Sequence, residues 1–598
     1  MMKIRPRTIF VLLLCLIAAV QSAQNQRKQP QPEVDNEREQ RRTTAMSMLQ
    51  ALAIDARSYR DYALRARVQA RIADVMWTQD QEAARALFRR AWEVAEASDE
   101  ASSASNVPGR QSNARPAPRR ARLRREVLQL AARRDFKLGE EFLARMTKGA
   151  GETKTDGTQL SPAEISERLI IAGQLEEQNN IERALQFADP ALTAVSERSI
   201  RFLVDLRDQN AAAADQRFTS LLLNAETDPN SDANTVSLLM SYVFSPSVYL
   251  VVSPSGIPSS NTYPSKSTQQ INPTVRRTLF EVAARILLRP LSQIDQSSAG
   301  LAGTHFIATR LLPLFQRFAP QFVGPINAHL VSMGPEIAQK TASNSEIDLN
   351  RGLDGTDRPP LDDELKDRLD RARNVDERDR AYAFAAMSAA DAADPRARDF
   401  VDEIEDSETR KGIKTFVDYN LIGGLIRKKR ADEALSQIRK SDLPVTLRAR
   451  FLTSIGALIV KNDRTRAIEL FNEALTDALR LEQTSDQAYL LLALLCQFSK
   501  VDRVRTWELL SETIKAANRV SDYTGENSDT SLILEGKFSI RLTTQLASPT
   551  DLAEVFETLG TENFYQALDA SKAIVGDAPK AIAMIAVARA VLDEKRLK

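Results

Sequence analysis

The chain has 598 residues, 27% of them charged and 6% aromatic, with 81 basic and 80 acidic side chains and two cysteines. This exceeds the roughly 250–300 residues at which one hydrophobic core stops growing, so a single globule is excluded and several domains or a layered array are required. The balanced charge excludes the dense positive field of a nucleic-acid binder, and two cysteines exclude a disulfide framework.

The first predicted element is a targeting segment, residues 1–23. Lys3, Arg5 and Arg7 precede a 12-residue apolar run at 9–20, and the small residues Ser22 and Ala23 follow. This is the layout of a cleavable secretory signal, and the run is shorter than the ~20 residues a spanning helix needs. Leu14 stands where a lipidation signal would place a small residue before Cys15. Cleavage near Ser22/Ala23 would leave 78 basic and 80 acidic groups, a net charge of −2, and one cysteine, Cys496. Residues 24–45 are polar and charged and read as a disordered arm.

Helical hairpins are expected over 46–97. Ala66, Ile72, Ala73 and Val75 fall at the spacing of one helix face, and Ala84, Leu87, Phe88 and Ala91 at that of a second. Asp80 stands between them, where its carboxylate can accept hydrogen bonds from the N–H groups opening the second helix. Residues 98–121, rich in Ser, Asn and Pro, read as a linker. The basic run at 119–125 then starts a helix; it reads as a solvated face or as a contact for acidic polymers or lipid head groups. Helices continue over 122–235, with Ser161-Pro162-Ala163-Glu164 as a start signal. Residues 236–273 are an apolar, Pro- and Ser-rich insertion. Within it a helix ends near Ser245-Pro246 and the β-favouring stretch 248–252 follows; the segment is either a packed connection or an exposed flap for a partner. Amphipathic helices resume with Pro273 and run over 274–340. Residues 341–361 read as a second linker. There Asp348, Asn350 and Asp354 have partial calcium-loop spacing, but Gly352 occupies a ligand position and Pro359 replaces the closing carboxylate, so no metal is expected. Over 362–598 a continuous helical array is expected, ending in a terminal helix.

One phrase recurs. Residues 447–474 repeat residues 64–91 at an offset of 383, with 10 of 28 positions identical. Ala467, Phe471 and Ala474 take the places of Ala84, Phe88 and Ala91, and Asp463 that of Asp80. A small residue early in the second helix, an aromatic four residues on and a small residue three further resembles the tetratricopeptide repeat, a unit of about 34 residues. Weaker copies lie at 172–191 (Ala184, Ala188, Ala191), 422–435, 491–513 (Asp502, Thr506, Leu510) and 128–146 (Asp135, Gly139, Leu143). The resemblance implies an all-α chain, an α-solenoid of antiparallel helical hairpins with irregular central insertions, curving to a concave face that binds protein. The chain departs from the family in its irregular spacing and in lacking the proline that usually follows the second helix.

The search for chemistry finds no catalytic, cofactor-binding or metal-binding residue to assign. His305 and His329 are the only histidines, and the sequence holds no HExxH, CxxC, GxSxG or nucleotide-binding loop. His329 lies on an apolar helix face and reads as packed; Cys496, in LLALLCQF, reads as buried and inert. The expectation is a non-enzymatic protein–protein interaction scaffold of a bacterial-type cell envelope, periplasmic or secreted. Its partner would be an unknown protein or peptide, with no nucleic acid and no integral membrane span after signal removal. The alternatives are an envelope glycan-acting enzyme, which needs two positioned carboxylates, and a structural envelope component.

Overall fold

A computed structural model of the chain describes residues 32–104, 120–148, 160–244, 246–263, 271–343, 361–521, 523–525, 530–534, 540–544 and 551–593. It is all-α, an α-solenoid-type stack of antiparallel helical hairpins, with two small β-hairpins among the described residues. The chain divides into two compact units. The first comprises residues 1–87 and 372–598, and the second residues 88–371.

Helices α1 (Pro32–Asp55), α2 (Tyr62–Met76) and α3 (Gln81–Ala104) open the chain, the division between units falling within α3. The second unit continues with α4 (Arg120–Arg134), α5 (Phe136–Lys148), α6 (Pro162–Glu177), α7 (Ile181–Ala188), α8 (Glu197–Gln209), α9 (Ala211–Thr227) and α10 (Ala233–Phe244). The antiparallel strands β1 (Val248–Val252) and β2 (Pro258–Thr262) follow. Then come α11 (Pro273–Leu287), α12 (Leu291–Asp295), α13 (Gly300–Phe318), α14 (Val323–Ser332), α15 (Pro335–Ser343) and α16 (Leu361–Arg371). The first unit resumes with α17 (Val375–Asp391), α18 (Ala397–Asp402), α19 (Ser407–Arg427), α20 (Ala431–Lys440), α21 (Val445–Ile459), α22 (Arg464–Leu479), α23 (Ser485–Val501) and α24 (Arg503–Asn518). It closes with the hairpin β3 (Thr530–Leu534) and β4 (Ile540–Thr544), then α25 (Leu552–Glu562), α26 (Phe564–Lys572) and α27 (Asp577–Leu592).

Three expectations need correction. Residues 32–45, expected as part of a disordered arm, are the first turns of α1: Ala45 and Leu49 are buried, and Glu37 pairs with Arg41 one turn on. Polar composition concealed a helix anchored from its C-terminal half. Residues 98–104 of the expected linker continue α3. The 362–598 array is interrupted by the β3–β4 hairpin, where the sequence reading placed helices alone. The signal segment 1–23, most of the expected linkers and Asp348, Asn350, Gly352, Asp354 and Pro359 lie outside the described residues.

Helix starts follow the side chains that can satisfy the unpaired N–H groups of a first turn. Asp80 accepts from the Ala83 amide and Asp463 from the Arg466 amide, each at 3.0 Å, as the sequence predicted. Asp502 and Asn563 act alike on Arg505 and Gln566 (3.0 and 3.2 Å), and Ser161 on Glu164 at 3.2 Å. The copies at 172–191 and 422–435, and the turn that follows α17, use a different joint. At Asn179, Ala393 and Lys429 the backbone turns left-handed (φ 59°, 54° and 59°). In each case that residue and the next donate back to two helix carbonyls, for example Lys429 to Ile426 and Arg430 to Leu425, both at 2.9 Å. This is a Schellman C-cap made without glycine.

The alanines of the duplicated phrase do what close helix approach demands. Ala84, Phe88, Ala91, Ala467, Phe471 and Ala474 are all fully buried. Within the first unit, a Cβ placed on Gly456 of α21 would lie 2.4 Å from the Phe471 ring of α22. Only glycine leaves room for that ring. In the second unit Trp92 stacks on Phe142 (4.6 Å between centroids) and Phe218 on Tyr242 (4.0 Å). In the first unit α1 and α2 pack against α27, joining the earliest described helices to the last. Arg589 of α27 there bridges fully buried Asp74 and largely buried Glu557, each at 3.2 Å.

Candidate functional site

The second unit contains a cleft of about 630 Å³ formed by α6, α8 and the end of the β1–β2 hairpin. Helix α6 begins at Pro162 behind its Ser161 cap and presents Pro162, Ile165 and Ser166. Its orientation is fixed by Arg168, a buried guanidinium that forks onto Glu140 of α5 (2.7 Å to each oxygen) and meets Glu164 at 3.0 Å. Helix α8 begins with a capping box between Ser196 and Ser199 and presents Glu197, Arg198 and Arg201. Ala194 completes the apolar wall, and the hairpin contributes Asn261 and Tyr263.

The hairpin is locked in place. Asn234 of α10 donates to the Val252 carbonyl at 2.9 Å and accepts from the Val252 amide at 2.7 Å. Ser241 of α10 donates to the Val248 carbonyl at 2.8 Å. The hairpin tip rests on α13: Gly300 adopts φ +61°, and Cβ atoms built on Gly300 and Gly303 would lie 3.0 Å from Pro254 and from the Ser253 carbonyl. Arg289 holds the preceding loop by donating to four carbonyls, those of Glu226, Asp228, Pro229 and Ser231. Tyr249 and Val252 are buried, while Val251 and Ile257 remain exposed. Residues 246–263 are therefore a packed element, and the exposed-flap reading of this stretch is corrected: β1 has a core to enter and side-chain donors waiting for its backbone.

Most charges in the cleft have polar or aromatic partners. Asn261 donates to Glu197 at 2.8 Å, and Tyr263 bonds the same carboxylate, which raises the tyrosine pKa. The Arg201 guanidinium lies over the Tyr263 ring at 4.4 Å and 3.8 Å from Asp205. Arg198 is exposed and, among the described residues, has no carboxylate at ion-pair distance. The cleft thus offers two guanidinium groups one turn apart beside an apolar wall.

Two other carboxyls in this unit bind protons unusually well. Burial, and then the charge of Asp205, push Glu176 up to about 7, although Gln209 donates to it. Burial likewise pushes Asp205 up to about 6, with Arg201 opposing. Neither lines the cleft.

The residues weighed in the sequence occupy ordinary places. Cys496 is buried in α23, its thiol pushed up to about 12 by burial, so thiolate chemistry is suppressed. His305 lies on α13 and His329 on α14, each held below the ordinary histidine value by burial. Of the basic run, Arg124 pairs with Asp99 and Arg125 with Glu167, so both knit helices together. Among the described residues no group of three or more His, Cys, Asp or Glu side chains could hold a metal ion, and no helix is long and apolar enough to cross a membrane. Sequence reasoning did not single out Arg198, Arg201 or Tyr263; nothing in their local sequence distinguishes them.

The chain matches no family model and no curated protein. A solved structure it is similar to is described as a circular tandem repeat protein with novel repeat topology and enhanced subunit contact surfaces. The likeness covers 79% of this chain and 98% of that one at 14% identity, with a TM-score of 0.16. At that score it carries no argument, and the fold assignment rests on the packed helices themselves.

Proposed function

We propose that this chain is a non-enzymatic interaction scaffold of tetratricopeptide type, exported to the periplasm or beyond, which holds a peptide or protein partner on its helical-repeat surface. The observation that carries the reading is the repeated Ala–Phe–Ala seam, fully buried in both copies behind the same Asp-capped turn. A seam of small residues lets helix pairs stack in register and leaves long outer faces for a ligand. The basic and apolar segment at 1–23 supports export. Glu176 and Asp205 are the carboxyls of this unit pushed up to about 7 and about 6, and neither lines the cleft, which supports the scaffold reading over a glycan-acting one.

Crosslinking in the envelope fraction, followed by mass spectrometry and N-terminal sequencing, tests this. The expected result is a mature N-terminus near Ser22/Ala23 and crosslinks from a defined polypeptide to the repeat helices. Release of soluble sugars from cell-wall glycan by the purified protein, abolished in Glu176→Gln, would replace the scaffold with the enzyme.

A further inference from the structure

The two edges of the β1–β2 hairpin are unequal. The amide of Tyr263 donates to Ser247 and that of Ser253 to Ile257 (2.9 and 3.0 Å), with Tyr249 opposite Asn261 and Val251 opposite Ser259. Antiparallel alternation therefore turns the backbone of Val248, Leu250 and Val252 outward on β1, and that of Pro258, Ser260 and Thr262 outward on β2. The outer edge of β1 is sealed by Ser241 and Asn234. On β2, no group among the described residues takes the outward amide of Ser260. Such an edge is a template for one more strand. Asn261 and Tyr263 belong to this edge and also line the cleft, so the open edge runs beside Arg198 and Arg201.

We infer that the cleft and the open edge of β2 together capture an extended acidic peptide segment, a reading that rests on the scaffold function proposed above. The peptide adds to β2 at Ser260, because Pro258 has no N–H to offer. Its alternate side chains face the cleft. Acidic ones meet Arg198, whose charge is uncompensated by any described carboxylate, and Arg201, whose nearest described carboxylate is a long 3.8 Å away. An apolar one reaches Pro162, Ile165 and Ala194. Glu197 remains an anion in the cleft, held by hydrogen bonds from Asn261 and Tyr263, and is outnumbered there by Arg198 and Arg201.

Fluorescence anisotropy of the full chain with a labelled, end-blocked heptapeptide alternating glutamate and valine tests the assignment. The expected result is binding that weakens with salt, is absent for the lysine–valine peptide, and falls about tenfold in Arg198→Ala, as loss of a charge-assisted hydrogen bond requires. Arg198→Glu should abolish it. Ser260→Pro, which removes only an outward amide, should weaken it while the circular dichroism of all three variants stays unchanged. Equal affinity for the lysine peptide, or indifference to Arg198→Glu, overturns the assignment. So does self-association of the chain that Ser260→Pro abolishes, because the occupant is then a second copy. If the peptide fails here while crosslinks map to other repeat helices, the cleft assignment falls and the scaffold stands. If crosslinks to any polypeptide are absent as well, both fall.

Discussion

Glu176 is 3% exposed, and its carboxyl keeps a proton to about pH 7 in the folded chain. An unfolded chain releases that proton near the ordinary value of 4.5. Between these values the native state binds more protons than the unfolded state, so this group makes stability fall as pH rises from about 4.5 to about 7. Glu176→Gln retains an acceptor for Gln209 and removes the charge. It is expected to leave stability at pH 5 nearly unchanged and to raise it at pH 8 by on the order of 1–2 kcal/mol, read from urea midpoints. Gly456 gives a steric counterpart. Gly456→Ala places a methyl 2.4 Å from the Phe471 ring, so thermal denaturation should show a loss of about 1–3 kcal/mol. The need for small residues at this seam was legible in Ala467 and Ala474; Gly456, with Ala73 at the matching position, was not singled out. The pairing of Arg198 with Arg201 was not: two arginines among 81 basic residues acquire meaning only when α8 turns them toward α6 and the hairpin.

At the scale of elements, capping residues and apolar periodicity marked the helices of the duplicated phrase, the start at Ser161-Pro162 and the resumption at Pro273. The stretch 248–252 was legible as β-favouring but not as half of a docked hairpin, because its partner strand, PSSNT, carries no strand signal of its own. What holds that strand is the ladder to β1, and what holds β1 is Asn234. Asn234→Ala would strand the Val252 amide and carbonyl in a buried position. Stability should drop by about 1–3 kcal/mol, with tyrosine near-ultraviolet dichroism changing and far-ultraviolet dichroism preserved. An unchanged tyrosine signal would mean that the hairpin does not depend on this clamp. The β3–β4 hairpin was missed because strands this short lack the length that makes a period recognisable.

At the scale of the whole molecule, the first unit is discontinuous in sequence: α1 and α2 find their partner in α27. Arg589 and Asp74, 515 positions apart, make the ionic part of that contact. Arg589→Leu removes one charged partner of the fully buried Asp74 carboxylate, which keeps other interactions, and should cost about 1–3 kcal/mol. Hydrogen exchange should then quicken in α1 and α2 first, and adding Asp74→Asn should restore part of the loss. If exchange there is unchanged, the closure is held by apolar packing alone.

The sequence by itself determined the all-α class, the hairpin as the building unit and the capping residues of the repeat turns at Asp80 and Asp463. These depend on interactions within a few residues of one another, so spacing alone encodes them. Only the tertiary structure decided the division into two units, the return of the last helix to the first and the assembly of a cleft from α6, α8 and a β-hairpin. Each of these joins residues from tens to hundreds of positions apart, and no local pattern records which distant surface a helix face will meet.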